Sequence, residues 1–149
     1  DTDVIVENGG DVFLACSEAV AVGLHAGRKH ALGDHLAFSV SADRMPLAIC
    51  SSSARMGHSL SLGDCDLATV VAQDASLADA AATLACNLVR TIDDIDSALE
   101  RIVGIAGVDG VLLVKDERVG LVGNLPPLLR SRDPAQGAKV TRDPRSAPE

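Results

Sequence analysis

Residues 57–61, Gly-His-Ser-Leu-Ser, begin like the Gly-x-Ser-x-Gly turn that holds a nucleophilic serine, here Ser59. That turn requires a strand ending at the first glycine, a second glycine two residues past the serine, and a helix after it. Here Ser52 to Met56 separate Gly57 from the nearest β-prone run, and Ser61 stands where the second glycine belongs. The continuation LSLGDCDLATVV leads into a strand. All three conditions fail, so Ser59 is not read as a hydrolase nucleophile.

Other groups have chemistry within reach. His25, His30 and His35 recur every fifth residue. That invites zinc, but even spacing in a loop does not gather side chains on one face, and no acidic second shell is evident. Solvated loop histidines are the expectation. Asp79 and Thr83 stand four apart, so on a helix they share a face and offer two hard oxygen ligands to Mg²⁺. A helix cap at Asp79 and simple packing of Thr83 explain the same spacing. Asn8-Gly9-Gly10-Asp11 could present backbone amides to a phosphate or merely turn a hairpin. Ser51-Ser52-Ser53 offers hydroxyl donors after a strand, or is a polar loop. Cys50 has no activating base beside it and reads as a buried, inert thiol.

These residues need elements to hold them. Val4-Ile5-Val6 and Val12 to Ala15 flank the Asn-Gly-Gly-Asp run as strand, turn and strand, with Asn-Gly the hairpin signal. Further strands are expected at residues 19–24, 36–40, 46–50 and 67–72, the last of them buried. Residues 25–33 read as loop. Ser76-Leu77-Ala78-Asp79 has the form of a capping box and opens a helix to about Val89, with Leu77, Ala81, Leu84 and Leu88 on its inner face. A second helix spans Asp94 to Val103, with Ile95, Leu99 and Ile102 as its stripe and Gly104 and Gly107 after it. Residues 111–114 and 119–122 form a closing hairpin. Strands first and helices later predict an α+β fold with a largely antiparallel sheet and two helices on one face.

The chain divides near residue 123. Beyond it lie five of the six prolines and five basic residues against three acidic ones, a composition that predicts a disordered tail. The first 123 residues carry the net negative charge, which is −8 for the whole chain. That charge, with aromatics at 1% of residues, argues against nucleic-acid binding. No apolar run approaches the roughly 20 residues that cross a bilayer. Four cysteines without a C-x-x-C pair suit reduced thiols in the cytoplasm. The start at Asp1, on an apolar run and without Met, suggests a fragment, and the apolar surface this leaves makes a homo-oligomer an expectation.

Taken in order, VENGGDVFL, LAICSSS, GHS and LATVVAQDASLADAAATLACNLV resemble the ApbE superfamily of FAD:protein FMN transferases, in its short branch. The resemblance covers most of residues 4–122, including DGVLLVKDERVGLVG. It implies a T-fold-like architecture and Mg²⁺ held partly by Asp79 and Thr83. It also implies a flavin (FAD or FMN) or related nucleotide in a pocket lined by Gly9, Gly10, Asp11, Ser52 and Ser53. The implied chemistry passes FMN from FAD to a Thr or Ser of a protein acceptor and releases AMP, or cleaves the FAD pyrophosphate. His58 is the residue expected to act chemically. The transferase pattern His-x-x-Asp-Pro-x-Thr-Gly is replaced here by His58-Ser59-Leu60-Ser61-Leu62-Gly63. Full members also carry an N-terminal half, which is expected to fall outside the given sequence. Two alternatives follow: an accessory protein of sulfur and homocysteine metabolism in anaerobes, or an interaction module with no small ligand.

Overall fold

Apolar residues that alternate with polar ones need one covered face, and runs apolar at every position need two. The computed structural model, which describes residues 2–26, 36–54 and 63–130 and the backbone of 140–142, meets both demands with two sheets and a helical layer. β1 (Val4–Asn8), β2 (Asp11–Ala15), β5 (Leu47–Ser52), β6 (Leu67–Ala72), β7 (Val108–Lys115) and β8 (Arg118–Gly123) form a six-stranded sheet in the order β1-β2-β5-β6-β7-β8. β3 (Val20–Leu24) and β4 (Leu36–Val40) leave it between β2 and β5. They join β9 (Leu128–Arg130) and β10 (Val140–Arg142) in a second sheet, ordered β10-β3-β4-β9. Every pairing among the described strands is antiparallel.

The large sheet is covered on both faces. Val12, Leu14, Ile49, Val71 and Leu112 pack against Val22, Phe38 and Val40 of the small sheet. On the opposite face lie two helices: α1 (Ala75–Leu88) over β5 and β6, and α2 (Ile95–Val103) over β7 and β8. β6 is therefore buried at all six positions, matching its apolar, β-branched sequence. The fold is α+β with two helices on one face of a largely antiparallel sheet, as the element order implies. The second sheet on the other face was not in that expectation, because pairing between strands distant in sequence leaves no local signature.

α1 differs from its expected form at two points. Its buried residues are Ala78, Ala81, Ala82, Ala85 and Cys86, while Leu77, Leu84 and Leu88 are only half-buried. Small side chains meet the small residues Ala48, Cys50, Ala68 and Ala72 of the sheet, so the helix sits close and the leucines fill its flanks. Its N-cap is Asp74 rather than Ser76, with the Asp74 carboxylate accepting from the backbone amides of Ser76 at 2.9 Å and Leu77 at 3.2 Å. Asp79 is thereby released from any capping role. α2 follows expectation, with Ile95, Leu99 and Ile102 buried.

The Pro-rich stretch after residue 123 is partly structured, which corrects the disordered-tail expectation for its first residues. Leu128–Arg130 pair with β4, and the Ser39 amide donates to the Pro127 carbonyl. Leu125 and Leu128 pack against the core between the sheets, and this burial outweighs a composition that reads as disordered. At the other extreme β1 is an apolar edge, with Val4, Ile5 and Val6 between 41% and 54% exposed.

Candidate functional site

The turn joining β1 to β2 is the first wall of the site. Its two central residues are Gly9 and Gly10, and Asn8 closes the ladder opposite Asp11. Gly9 has φ +60 and Gly10 a negative φ, the pattern of a type II′ hairpin with glycine first. The sequence places the turn at Asn-Gly; the strand register moves it one residue on. Gly10 is needed for another reason. A Cβ there would collide with the carbonyl oxygen of Ser51, so β2 and β5 approach too closely for any side chain.

Strand register then decides which side chains meet. Asp11 lies opposite Cys50, Phe13 opposite Ala48, and Val6 opposite Phe13. Directly paired residues share a face, and Ala48 and Cys50 face the helices. Asn8, Asp11, Val6 and Phe13 therefore face that side too. There α1 covers β5 but leaves the hairpin side open. The result is a cleft of about 230 Å³ with Val6, Phe13 and Cys50 among its lining, Asn8 and Asp11 on one wall, and Ala75, Ser76 and Asp79 on the other.

Cys50 is buried, and its thiol donates to the Ala75 carbonyl at 3.6 Å. Burial pushes the thiol up to about 12, helped by the charge of Asp11, a hydrogen bond to Asp11 and the charge of Asp79. It is a neutral thiol, not a nucleophile, as its sequence context indicates. What the sequence does not show is its place in the cleft, because only the β2–β5 register brings it beside Asp11.

The other predicted residues fall as follows. Asp79 is exposed and lines the cleft. Thr83 is exposed one turn on, where its hydroxyl donates to the Asp79 backbone carbonyl at 3.2 Å, and it is not among the lining residues. Ser52 and Ser53 are half-buried at the end of β5 and also lie outside the lining. Ser51 hydrogen-bonds Thr69 through their hydroxyls at 2.8 Å. His25 is half-buried at the end of β3. His30, His35, His58, Ser59 and the other residues of 57–62 lie outside the described residues.

A second acidic group stands at the far end of the sheet. Lys115, only 4% exposed, places its ammonium 2.8 Å from Asp64 and 3.8 Å from Asp116. Its hydrogen bond to Asp64 holds the Lys115 pKa above the usual lysine value. Asp66 accepts from the Asp116 amide at 2.7 Å. These carboxylates are answered by a cation from within the fold.

Among the described residues, no three His, Cys, Asp or Glu side chains are placed to form a metal cage. Mg²⁺ does not demand one, since it is commonly held by one or two carboxylates with water and substrate phosphates completing the shell. The cleft supplies two such carboxylates, Asp11 and Asp79, from opposite walls. The donor set fits that kind of ion.

Residues 1–119 match the family model described as AbpE bacteria. The chain is 37% identical over 134 residues to the UPF0280 protein MJ1526 of Methanocaldococcus jannaschii, covering 87% of this chain and 54% of that protein. It is 41% identical over 128 residues to a UPF0280 protein of Archaeoglobus fulgidus, covering 83% and 52% respectively. A UPF0280 protein of Methanopyrus kandleri is 37% identical over 135 residues, covering 87% and 54%. The chain spans about half the length of the curated relatives it matches.

Proposed function

The chain belongs to the AbpE bacteria family, and on that footing we propose that it binds a flavin or related nucleotide together with Mg²⁺ in the cleft between the β1–β2 hairpin and α1. The observation that carries this reading is the meeting of Asp11 and Asp79 across one cleft, although they are far apart in sequence. Each sits in one of the two motifs that resemble ApbE proteins, the Asn-Gly-Gly-Asp turn and the Ala-Asp-Ala-Ala-Ala-Thr helix segment.

The cleft divides its work by chemistry. Val6 and Phe13 give an apolar surface on which a flat ring system rests. Asn8 offers an amide and Ser76 a hydroxyl for polar groups of the ligand. Asp11 and Asp79 are the carboxylates for the cation. When bound, Mg²⁺ neutralises the charge that develops as a phosphate–phosphate bond breaks, which makes FMN transfer or FAD pyrophosphate cleavage the reaction class. The Thr83 hydroxyl is engaged by the Asp79 backbone carbonyl and stands outside the cleft lining, so Asp79 rather than Thr83 is the α1 residue that would meet the ion.

The test is gel filtration of the protein with FAD and Mg²⁺, followed by an absorbance spectrum of the protein peak. The chain has no Trp or Tyr, so its own near-ultraviolet absorbance is minimal and bound flavin is plain. Flavin should co-elute with the parent and be lost with Asp79→Ala. Co-elution unchanged by that substitution, or no flavin with the parent, overturns the reading.

A further inference from the structure

The four cysteines fall at three separate places in the fold. Cys16 lies beside the β1–β2 edge, its thiol donating to the Val4 carbonyl at 3.6 Å. Cys50 sits under the start of α1, on the Ala75 carbonyl. Cys65 and Cys86 meet at the other end of that helix, roughly 16 Å along its axis from Ala75. Both are 0% exposed and belong to one core cluster. The backbone carries them together. The Asp64 amide donates to the Val89 carbonyl at 2.8 Å, just past the last turn of α1. A Cβ on Gly63 would collide with the Cys86 carbonyl oxygen, so the chain entering β6 lies directly on that turn.

The two thiols are hydrogen-bonded to each other. Cys65 aims its hydrogen at the carbonyls of Leu67 at 3.1 Å and Val114 at 3.3 Å. A thiol has one hydrogen, so the bond between the sulfurs uses that of Cys86, and Cys65 turns sulfur lone pairs toward its partner. Packing explains a single buried cysteine, but two thiols in contact have a chemistry that neither has alone.

We propose that Cys65 and Cys86 form a redox-modification site, a dithiol that hydrogen peroxide closes to a disulfide between α1 and the entry to β6. This inference is independent of any ligand in the cleft. One thiol, as its thiolate, attacks the peroxide, the O–O bond breaks, and a sulfenic acid forms while the departing hydroxide takes up the thiol proton as water. The thiol in contact then attacks that sulfur, the S–O bond breaks, and the S–S bond forms with release of a second water. Two thiols and one peroxide thus give one disulfide and two waters, two electrons passing from sulfur to oxygen. The hydrogen bond with Cys86 and burial hold the Cys65 thiol well above the usual thiol range, so the first step is slow and sets the rate. The second is fast, because the resolving thiol is already in contact. The pair therefore answers sustained peroxide rather than a trace of it.

The experiment exposes the full chain carrying Cys16→Ser, which removes the half-buried thiol, to excess hydrogen peroxide at neutral pH, with circular dichroism confirming the fold. Thiols are then counted in denaturant and the cross-link is located by mass mapping of peptides. Of the three remaining thiols one should survive, that of Cys50, and a single cross-link should join Cys65 to Cys86. Dithiothreitol should restore all three thiols. The same protein oxidised in denaturant should instead give mixed pairings that include Cys50. Cys86→Ser in that background should form no cross-link in the folded chain. A native cross-link to Cys50, native pairings no more selective than those in denaturant, or three thiols persisting through prolonged peroxide in the folded protein would each overturn the site.

Discussion

Two adjacent glycines of the β1–β2 turn should respond very differently to alanine. At Gly9 a Cβ meets nothing within 4 Å, and the only penalty is φ +60. The left-handed region costs a non-glycine residue about 1–2 kcal/mol. The stiffer unfolded chain returns roughly 0.4–1 kcal/mol, so Gly9→Ala should destabilise by about 1 kcal/mol or less. At Gly10 the Cβ would collide with the Ser51 carbonyl oxygen and lie 3.3 Å from its carbon, and both atoms are backbone. Relief requires β2 and β5 to separate, which breaks the bond from the Ser51 amide to the Gly10 carbonyl at 2.9 Å. Forced packing adds about 1–3 kcal/mol and the lost bond about 1 kcal/mol, a total near 2–4 kcal/mol. In a domain of this size each kcal/mol lowers Tm by roughly 2–4 °C. Circular-dichroism melts should therefore place Gly10→Ala well below Gly9→Ala, with Gly9→Ala close to the parent. Equal melting temperatures, or the reverse order, would refute the claim that the close strand approach is what requires Gly10.

Three other outcomes follow from the described geometry. Cys16 is half-buried while Cys50, Cys65 and Cys86 are buried, so a thiol reagent should modify one cysteine quickly in the native protein and the other three only on unfolding. Several fast thiols would contradict that packing. Folding raises the Cys50 thiol from 9.0 to about 12, chiefly by burial, so the folded state holds a proton that the unfolded chain releases. Stability should be full below about pH 9 and fall as pH rises toward 12. Cys50→Ala should flatten that alkaline slope, and an unchanged slope counts against this source. Asp74→Ala removes both bonds that cap α1 and should lower stability by about 1 kcal/mol, read as a drop of roughly 2–4 °C in Tm. No drop would mean that Asp74 does not hold the helix start.

Much of the fold was legible in the sequence wherever the signal was local. The Asn-Gly turn signal between two apolar runs, the β-branched run at residues 67–72 and the Ile95, Leu99, Ile102 stripe each name their element. Non-local facts were hidden. Nothing near Cys50 in sequence says that it faces Asp11, because that follows from β5 pairing with β2 after two strands have gone to another sheet. The alanine face of α1 was misread because hydrophobic size points to the leucines, whereas close seating on small sheet residues favours alanine. The helix start was two residues too late, since Ser76 fits a capping pattern and the shorter reach from Asp74 does not stand out. Asp11 and Asp79 were each singled out from their own motifs, but their meeting across one cleft is visible only in three dimensions.

The most direct test of the cleft as the cation and ligand site is paramagnetic broadening of backbone amide signals by Mn²⁺, used in place of Mg²⁺ with ADP present. Among the described residues, two acidic groupings are rival positions: the Asp11–Asp79 cleft, and the Asp64–Asp66–Asp116 group around Lys115. Broadening confined to the amides of residues 8–11, 50–51 and 75–79, and removed by Asp79→Asn, is the predicted result. Broadening centred on residues 64–66 and 115–117, or spread evenly over the acidic surface, would contradict the account.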